Sequence, residues 1–553
     1  MAARRLPAPL HPGAGRGRPV SLVVDGRPVP AFEGEPVAVS LLAAGRPILS
    51  RSFRLHRPRG LMCSTGQCCW CECRIDGRPS VRACRVAAAD GLVVDGEHAW
   101  PSVPRDVLGA LDLGSRWIPP TFYHHRFLRP KRLRKRYLDV IRWFGGRGRL
   151  SMPPRELEAD ELGRRVRTIE VDVAIVGGGP AGLLAARGAA RARAHVAVLE
   201  AEAEVGGPWR WRDGRIPGAG PVDELVAELL ATGLVAIVTG TTALSLDETG
   251  LHAVGPAALL DVRAPTVVVA TGSHEQLPLV PGNDRPGVMG ARTVEWLIRR
   301  HGVVPGTQAV LLGDGPDLDR AADALVAAGS QVVRQVAVDV LTAVLGRRGV
   351  TGVRLATAGA PEERVSADLL VVGDRVPATE LATAARSSGT TATVLLAGAA
   401  AGRPVATEEA AVGAEAVGRA AAAPTDALST SSAPASPPAP PPAMAWPAPA
   451  AMVCFCEDVR AADLRRECAA GYGHPELLKR RTGALTGPCQ GKFCAAGFQA
   501  AIAATAGDAP PLPALPAPTT RPPARPVRLA DLAAAAAQDA YDAAPARVEP
   551  NVP

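Results

Sequence analysis

The chain has 553 residues, 47% of them hydrophobic, with 57 Gly and 53 Pro; at roughly 100–200 residues per domain this predicts three to five domains with true cores and excludes a wholly disordered polymer. No uncharged apolar run reaches the ~18 residues a membrane helix needs. The opening MAARRLPAPLHPGAG has paired arginines but no apolar stretch behind them, so no transmembrane segment or export signal is expected and a cytoplasmic location is.

The formal net charge of +8 is local, because residues 126–149 hold ten Arg or Lys against one acid, Asp139. With no recognised nucleic-acid module beside it, that surplus reads as a solvated basic face or a dock for an acidic partner, and no nucleic acid is expected to bind.

In chain order, residues 1–17 read as a disordered tail and 18–100 as the first ordered block. Its opening, VSLVVDGRPVPAFEGEPVAVSLLAAG, alternates apolar residues around Asp25-Gly26, the mark of a β-hairpin with a tight turn. Residues 37–44 follow as a short amphipathic helix stopped by Gly45. Hairpin, helix and then a Cys-rich loop is the order of a β-grasp ferredoxin.

Eleven cysteines fall in two clusters, six between Cys63 and Cys84 and five between Cys454 and Cys494. In a chain without an export signal, clustered thiols read as metal ligands before disulfides. Cys63, Cys68 and Cys71 are spaced C-x4-C-x2-C with Cys84 thirteen residues further on, the plant-type [2Fe–2S] arrangement. Zinc and a disulfide set are the alternatives; zinc would prefer two CxxC-like pairs, and only Cys68/Cys71 has that spacing. Cys69 and Cys73 fall off the template and read as bystander or core thiols.

Residues 101–168 read as a basic connector, and 169–421 as the middle block. It opens with the apolar strand 171–176, then Gly177, Gly178, Gly179, Pro180, Ala181 and Gly182, then an Ala-rich helix and the strand HVAVLE ending at Glu200. Strand, G-x-G-x-x-G, helix and a terminal acid together form a dinucleotide fingerprint. Gly177 makes the turn, Gly179 admits the pyrophosphate, Gly182 lets helix and strand pack, and Glu200 would accept the ribose hydroxyls. An acid there fits FAD or NAD better than NADP. The segment VVVATGS, with Ala270, Thr271 and Gly272, resembles the ATG segment of two-dinucleotide-domain flavoproteins. A second turn at Gly313-Asp314-Gly315 has Leu318 where a third glycine belongs, so it reads as a structural remnant before a working NAD(P)H site. No CxxC lies beside it, which excludes the disulfide-reductase branch of this fold.

Residues 422–450 form a Pro/Ala linker, with nine prolines between Pro424 and Pro449, and 509–553 a Pro/Ala-rich tail carrying one candidate helix. Between them, 451–508 holds Cys454/Cys456 as C-x-C and Cys489/Cys494 as C-x4-C on a largely helical background, with Cys468 as a core thiol. This resembles the bacterioferritin-associated-ferredoxin (BFD) type of small helical [2Fe–2S] domain; zinc is the alternative here too.

The three blocks together resemble the electron-transfer subunits of heteromeric amino-acid and amine dehydrogenases: hydrogen cyanide synthase, the opine, hydroxyproline and proline dehydrogenases, and the sarcosine oxidase alpha subunit. The resemblance implies a multidomain α/β fold made of a β-grasp [2Fe–2S] domain, a two-dinucleotide-binding (Rossmann-like) flavoprotein domain and a BFD-like [2Fe–2S] domain. It implies two [2Fe–2S] clusters, FAD or NAD at the first glycine turn, and FMN at a subunit interface. It also implies that a D-amino-acid-oxidase-like partner holds the substrate, with the electron acceptor left open. A self-contained NAD(P)H-dependent reductase and a non-catalytic structural subunit are the rival readings. Two departures stand out. There is no folate-binding domain, and Ala399 replaces the acid of the Ala-Gly-Asp segment that would bond the flavin ribityl chain or pyrophosphate. No His or Arg pair reads as catalytic.

Overall fold

The computed structural model of the chain describes residues 3–122, 130–145, 165–256, 258–357, 359–423, 447–505, 522–527 and 546–547. They form two compact units interleaved in sequence: 1–155, 275–374 and 440–518 make the first, and 156–274, 375–439 and 519–553 the second. The block 169–421 is therefore shared between units, because its insert 275–374 folds with the two cysteine-bearing segments.

In the first unit, strands Pro19–Val24 and Arg27–Phe32 pair antiparallel with Val24 opposite Arg27. Asp25 and Gly26 alone make the turn, both at positive φ (49° and 75°), as the twist of a two-residue hairpin demands. The sheet runs Arg27–Phe32, Pro19–Val24, Val93–Asp95, Glu72–Ile75, Arg78–Arg82. The helix Val37–Ala43 covers it with Val37, Ala38, Val39, Leu41 and Leu42 buried. This is the expected β-grasp.

The tail 1–17 is a correction. Strand Arg4–Arg5 pairs antiparallel with Val303–Val304, Arg5 makes two hydrogen bonds to the buried Glu35, and Leu6 and Leu10 pack against the core. Two apolar anchors and a buried ion pair outweigh the Pro/Gly content that made this segment read as disordered.

Residues 275–374 build a parallel sheet in the order Val288–Gly290, Leu369–Val372, Gln308–Leu312, Gln331–Val336, flanked by helices Ala291–His301 and Pro316–Ala327. The C-terminal segment has a small hairpin, Met452–Cys454 with Val459–Arg460, and helices Ala461–Ala469, Pro475–Thr482 and Ala495–Thr505. These helices close on Leu464, Leu478, Phe498 and Ala501, all fully buried. Within the connector, 107–112 and 115–117 are 3-10 turns and the basic run is helical over Lys131–Gly145.

In the second unit five parallel strands run in the order Val235–Val238, Val196–Leu199, Val173–Val176, Thr266–Val269, Thr393–Leu396, the three inner ones reading as short apolar runs because both their faces are covered. Strand order reverses between Val173–Val176 and Thr266–Val269, the position where doubly wound sheets open a ligand crevice. The helix Pro180–Arg191 lies on helix Glu408–Ala421, whose backbone it approaches so closely that a Cβ at Gly188 would stand 2.0 Å from the Glu415 carbonyl oxygen. An antiparallel meander, Thr242–Leu246, Leu251–Val254 and Ala258–Arg263, completes the unit. Part of the Pro/Ala-rich tail docks on it, the Ala524 N–H donating to the Leu244 carbonyl at 2.7 Å. The spacer 424–446 and the candidate tail helix lie outside the described residues.

Candidate functional site

The first glycine turn occupies the crevice of the second unit. Gly177, at φ 109°, follows the Val173–Val176 strand, and a Cβ there would collide with the Ala270 carbonyl oxygen at 2.5 Å. Fingerprint and ATG segment thus meet edge to edge. A Cβ on Gly182 would fall 1.8 Å from the Gly177 oxygen, whereas one on Gly179, the N-cap of helix Pro180–Arg191, meets nothing within 4 Å. Two glycines therefore serve packing, and the third leaves open a cradle at a helix N-terminus, where a pyrophosphate is favoured. Glu200 turns its carboxylate back to this turn, accepting from Gly178 N at 2.7 Å and Glu202 N at 2.8 Å. Burial pushes its pKa up against those hydrogen bonds, and its remaining lone pairs are free for ribose hydroxyls. Thr271 Oγ1 donates to the Ala378 carbonyl at 2.6 Å, so Thr271 braces the turn, and Gly272 carries it past Ala270 at φ 82°. Ala399 sits in the 3-10 turn Gly398–Ala401 against the same helix, Gly398 lying so near Ala181 that a Cβ would be 2.3 Å from that side chain. The donors fit a dinucleotide, and the Gly398–Ala401 turn beside them brings no acid to it.

Replacing Gly182 with Ala is expected to overpack this turn at a cost of about 1–3 kcal/mol. The purified chain should lose bound flavin and show a lower denaturant midpoint; unchanged flavin content would mean the cradle lies elsewhere.

The second glycine turn, in the first unit, has the conformation without the chemistry. Gly313 and Gly315 keep positive φ (91° and 104°), but Asp374 stands over the turn, 3.1 Å from where a Gly313 Cβ would be. Burial and the Asp314 carboxylate raise the Asp374 pKa. Leu318 is fully buried in the core, and Asp317 and Asp319 occupy the first turn of the helix, where a phosphate would land. Carboxylates at a helix N-terminus repel the pyrophosphate that the fold otherwise favours.

The eight template cysteines are all buried, and none of them is in a disulfide. In the first set the sulfurs pair: Cys63 Sγ and Cys68 Sγ lie 3.3 Å apart in hydrogen-bond contact, and Cys71 is hydrogen-bonded to Cys84. Burial opposes ionisation of Cys63, yet the Cys68 donor brings its pKa down to about 6. In the second set the four sulfurs lie together, the sulfhydryls of Cys456 and Cys494 facing Cys454 and Cys489. Those donors hold the Cys454 and Cys489 thiols well below the ordinary value, while Cys456 and Cys494 are raised.

Among the described residues no three or more His, Cys, Asp or Glu side chains are placed to hold one metal ion. A binuclear cluster takes two thiolates on each iron, so the paired sulfurs of the first set suit it better than a lone zinc. Trp70, inside the first ligand loop and fully buried, has its indole Nε1 without an acceptor, a donor available to a sulfide-bearing group.

The two thiol sets lie in the same unit, and their loops touch. Cys69 Sγ is 3.5 Å from Cys456 Sγ, and Trp70 meets Phe455 edge-on with ring centroids 5.4 Å apart. Around this junction lies an ionic network that the sequence reading missed. Arg59, buried beside both rings, donates to Asp284 and, at 2.7 Å, to Asp458 Oδ1. Arg57 grips Asp284 with Nε and Nη2 and reaches Asp112 at 2.6 Å. Arg54 bonds Asp463 at 2.9 Å and the Asp458 carbonyl at 2.6 Å. The only sequence signal was four arginines among the ten residues 50–59, which by default reads as a solvated face.

The dinucleotide cradle and the buried thiol loops define an FAD-dependent oxidoreductase with an iron–sulfur domain. Comparison with known proteins agrees. Residues 17–98 match the family described as 2Fe-2S iron-sulfur cluster binding domain, 171–296 the pyridine nucleotide-disulphide oxidoreductase family, and 448–536 the sarcosine oxidase A3 domain. Sarcosine oxidase subunit alpha of Rhizobium meliloti (strain 1021) is 29% identical over 539 residues, covering 86% of this chain and 54% of that subunit. Hydrogen cyanide synthase subunit HcnA of Pseudomonas aeruginosa is 36% identical over 78 residues, 14% of this chain and 74% of HcnA. The fold matches L-proline dehydrogenase from P. horikoshii with a TM-score of 0.65 at 20% identity, over 95% of this chain and 99% of that one. Three separate stretches of the chain are thus similar to domains found in sarcosine oxidase alpha subunits and their relatives. The chain spans about half the length of the sarcosine oxidase alpha subunit it matches.

Proposed function

We propose that the chain is the electron-transfer subunit of a heteromeric flavin-dependent amino-acid or amine dehydrogenase or oxidase, and that its own role is relay. A D-amino-acid-oxidase-like partner takes two electrons, as hydride, from a C–N bond. Flavins exchange one or two electrons and [2Fe–2S] centres one at a time, which is the chemistry these cofactors supply. The chain's residues do the holding: Gly177, Gly179, Pro180, Ala181, Gly182, Glu200, Ala270, Thr271 and Gly272 seat FAD (or NAD), and Cys63, Cys68, Cys71, Cys84, Cys454, Cys456, Cys489 and Cys494 two [2Fe–2S] centres. FMN at the subunit interface belongs to the same reading, as does a cytoplasmic location, where cysteines stay out of disulfides and available to metal.

The observation that carries the proposal is the contact between two buried four-thiol sets within one unit. A partner is supported by the connector. Seven of the twelve large hydrophobics exposed among the described residues lie between Trp100 and Val140, with Leu113 84% and Trp117 67% exposed. Two of its acids are already paired within the chain, Asp106 with His56 at 2.9 Å and Asp112 with Arg57 and Arg460. A stretch whose acids are engaged there and whose tryptophans are exposed, beside the basic helix Lys131–Gly145, suits an acidic partner with an apolar patch. No helix of the described residues is long and apolar enough to cross a membrane.

Native purification with metal and flavin analysis tests this. About four irons per chain, one flavin and a co-purifying amine-oxidising flavoprotein are expected, with no rapid flavin bleaching when NADH is added to the chain alone. Bleaching by NADH without a partner would establish the self-contained reductase instead. Iron without flavin would establish the structural subunit.

A further inference from the structure

The sequence template leaves Cys69 over, yet the fold places it at the one point where the two ligand loops meet. Its neighbour Cys68 belongs to the first thiol set, and its own Sγ lies 3.5 Å from Cys456 Sγ of the second. All three sulfurs are buried, Cys456 at 2% exposure and Cys69 at 9%. The junction is held from both sides, by Trp70 against Phe455 and by Arg59 bonding the Phe455 carbonyl at 3.3 Å, so Cys69 has little freedom to turn away. A cysteine that ligates iron is a thiolate and carries no proton. The hydrogen in this contact must therefore come from Cys69.

The geometry points to Cys69 as a positioning residue of the C-terminal centre: its sulfhydryl donates a hydrogen bond to the ligand Cys456 and ties the reduction potential of that centre to the ferredoxin loop. The inference rests on the two-cluster reading above. Donors to cluster sulfur stabilise the reduced, more negative form, so they raise the potential. A sulfhydryl is a weak donor, which bounds the effect. Cys73 offers an internal control. It is the other surplus thiol of the first cluster, also buried, but it lies on the strand Glu72–Ile75 and its sulfhydryl faces the Leu49 carbonyl at 3.5 Å and not the second set.

The test is an EPR-monitored redox titration of the full chain, purified anaerobically, as wild type, Cys69→Ala, Cys69→Ser and Cys73→Ala. In Cys69→Ala one of the two signals should become harder to reduce, its reduced-to-oxidised ratio at fixed poise falling roughly three- to tenfold, where tenfold is 59 mV for one electron. The other signal should stay put. Cys69→Ser, whose hydroxyl also donates, should recover much of the shift, and Cys73→Ala should move neither centre. Two intact signals with unchanged midpoints in both Cys69 variants would overturn the assignment while leaving the clusters standing. Fewer than two iron signals in the wild type would instead remove the reading on which it rests. Should Cys69→Ala fail to accumulate, Cys69→Val, which fills the space but cannot donate, takes its place, and a shift no larger than that of Cys73→Ala then counts against a donor role.

Discussion

Replacing Asp284 with Asn is expected to destabilise the cysteine-bearing unit by about 3–5 kcal/mol, the cost of breaking one side of a buried ion pair. The Asp284 carboxylate is wholly buried and serves two guanidinium groups at once: Arg57 through Nε and Nη2, and Arg59 through Nη1. An amide of the same shape removes the negative charge and turns one acceptor into a donor facing the arginines. Arg57 would keep Asp112 and Arg59 would keep Asp458, so the unit should still fold, but with an uncompensated cation in its interior. Burial disfavours the Asp284 charge, yet the two arginines overcome it and hold the carboxyl well below the ordinary range. A carboxyl depressed in the folded state contributes stability that is complete above its unfolded value near 4 and drains away as pH falls through the folded one. Denaturant unfolding of the full chain at neutral pH should therefore show the whole deficit in Asp284→Asn. Below pH 4 the wild type should lose stability toward the variant, narrowing the gap. A variant within ~0.5 kcal/mol of wild type at pH 7, the usual span for surface substitutions, would mean that the network is not a structural clasp.

The features legible in the sequence were those whose partners are close along the chain. Asp25-Gly26 specifies its turn by two residues' backbone freedom, and Cys63, Cys68 and Cys71 lie within one loop. Gly177, Gly179 and Gly182 act over a single strand–helix junction, so spacing alone carries the geometry. Arg59 and Asp458 are separated by 399 positions and Arg57 and Asp284 by 227. Nothing periodic links such pairs, and isolated charges look solvated until the fold brings them together. The same reason hid the pairing of Arg4–Arg5 with Val303–Val304 and the division of the middle block between units. Cys69 shows the limit most sharply. The ligand spacing leaves it over, and only the tertiary fold brings its sulfur to 3.5 Å from that of Cys456.

Replacing Cys489 with Ser should halve the iron of the chain, from about four atoms to two, and silence one of two EPR signals while the ferredoxin signal persists. Cys489 stands between its donors Cys456 and Cys494, which hold its thiol well below the ordinary value; it is thus among the sulfurs best prepared to bind as a thiolate. A serine hydroxyl at that place is a harder, far more basic ligand with little affinity for iron in a thiolate-built centre. The fold around it should survive, because Leu464, Leu478, Phe498 and Ala501 still fill the core they share with the sulfurs and Arg54 and Arg59 still hold Asp463 and Asp458. Some stability should nonetheless be lost, since metal binding and folding are linked in small domains. The outcome separates three cases. Half the iron, one remaining signal and slowed delivery of electrons from the amine substrate to an external acceptor is the result expected of a relay. Unchanged iron in Cys489→Ser would remove this cysteine from the ligand set. Halved iron with electron delivery at the wild-type rate would leave the centre in place but take it off the path, and the relay would then have to end at the ferredoxin loop.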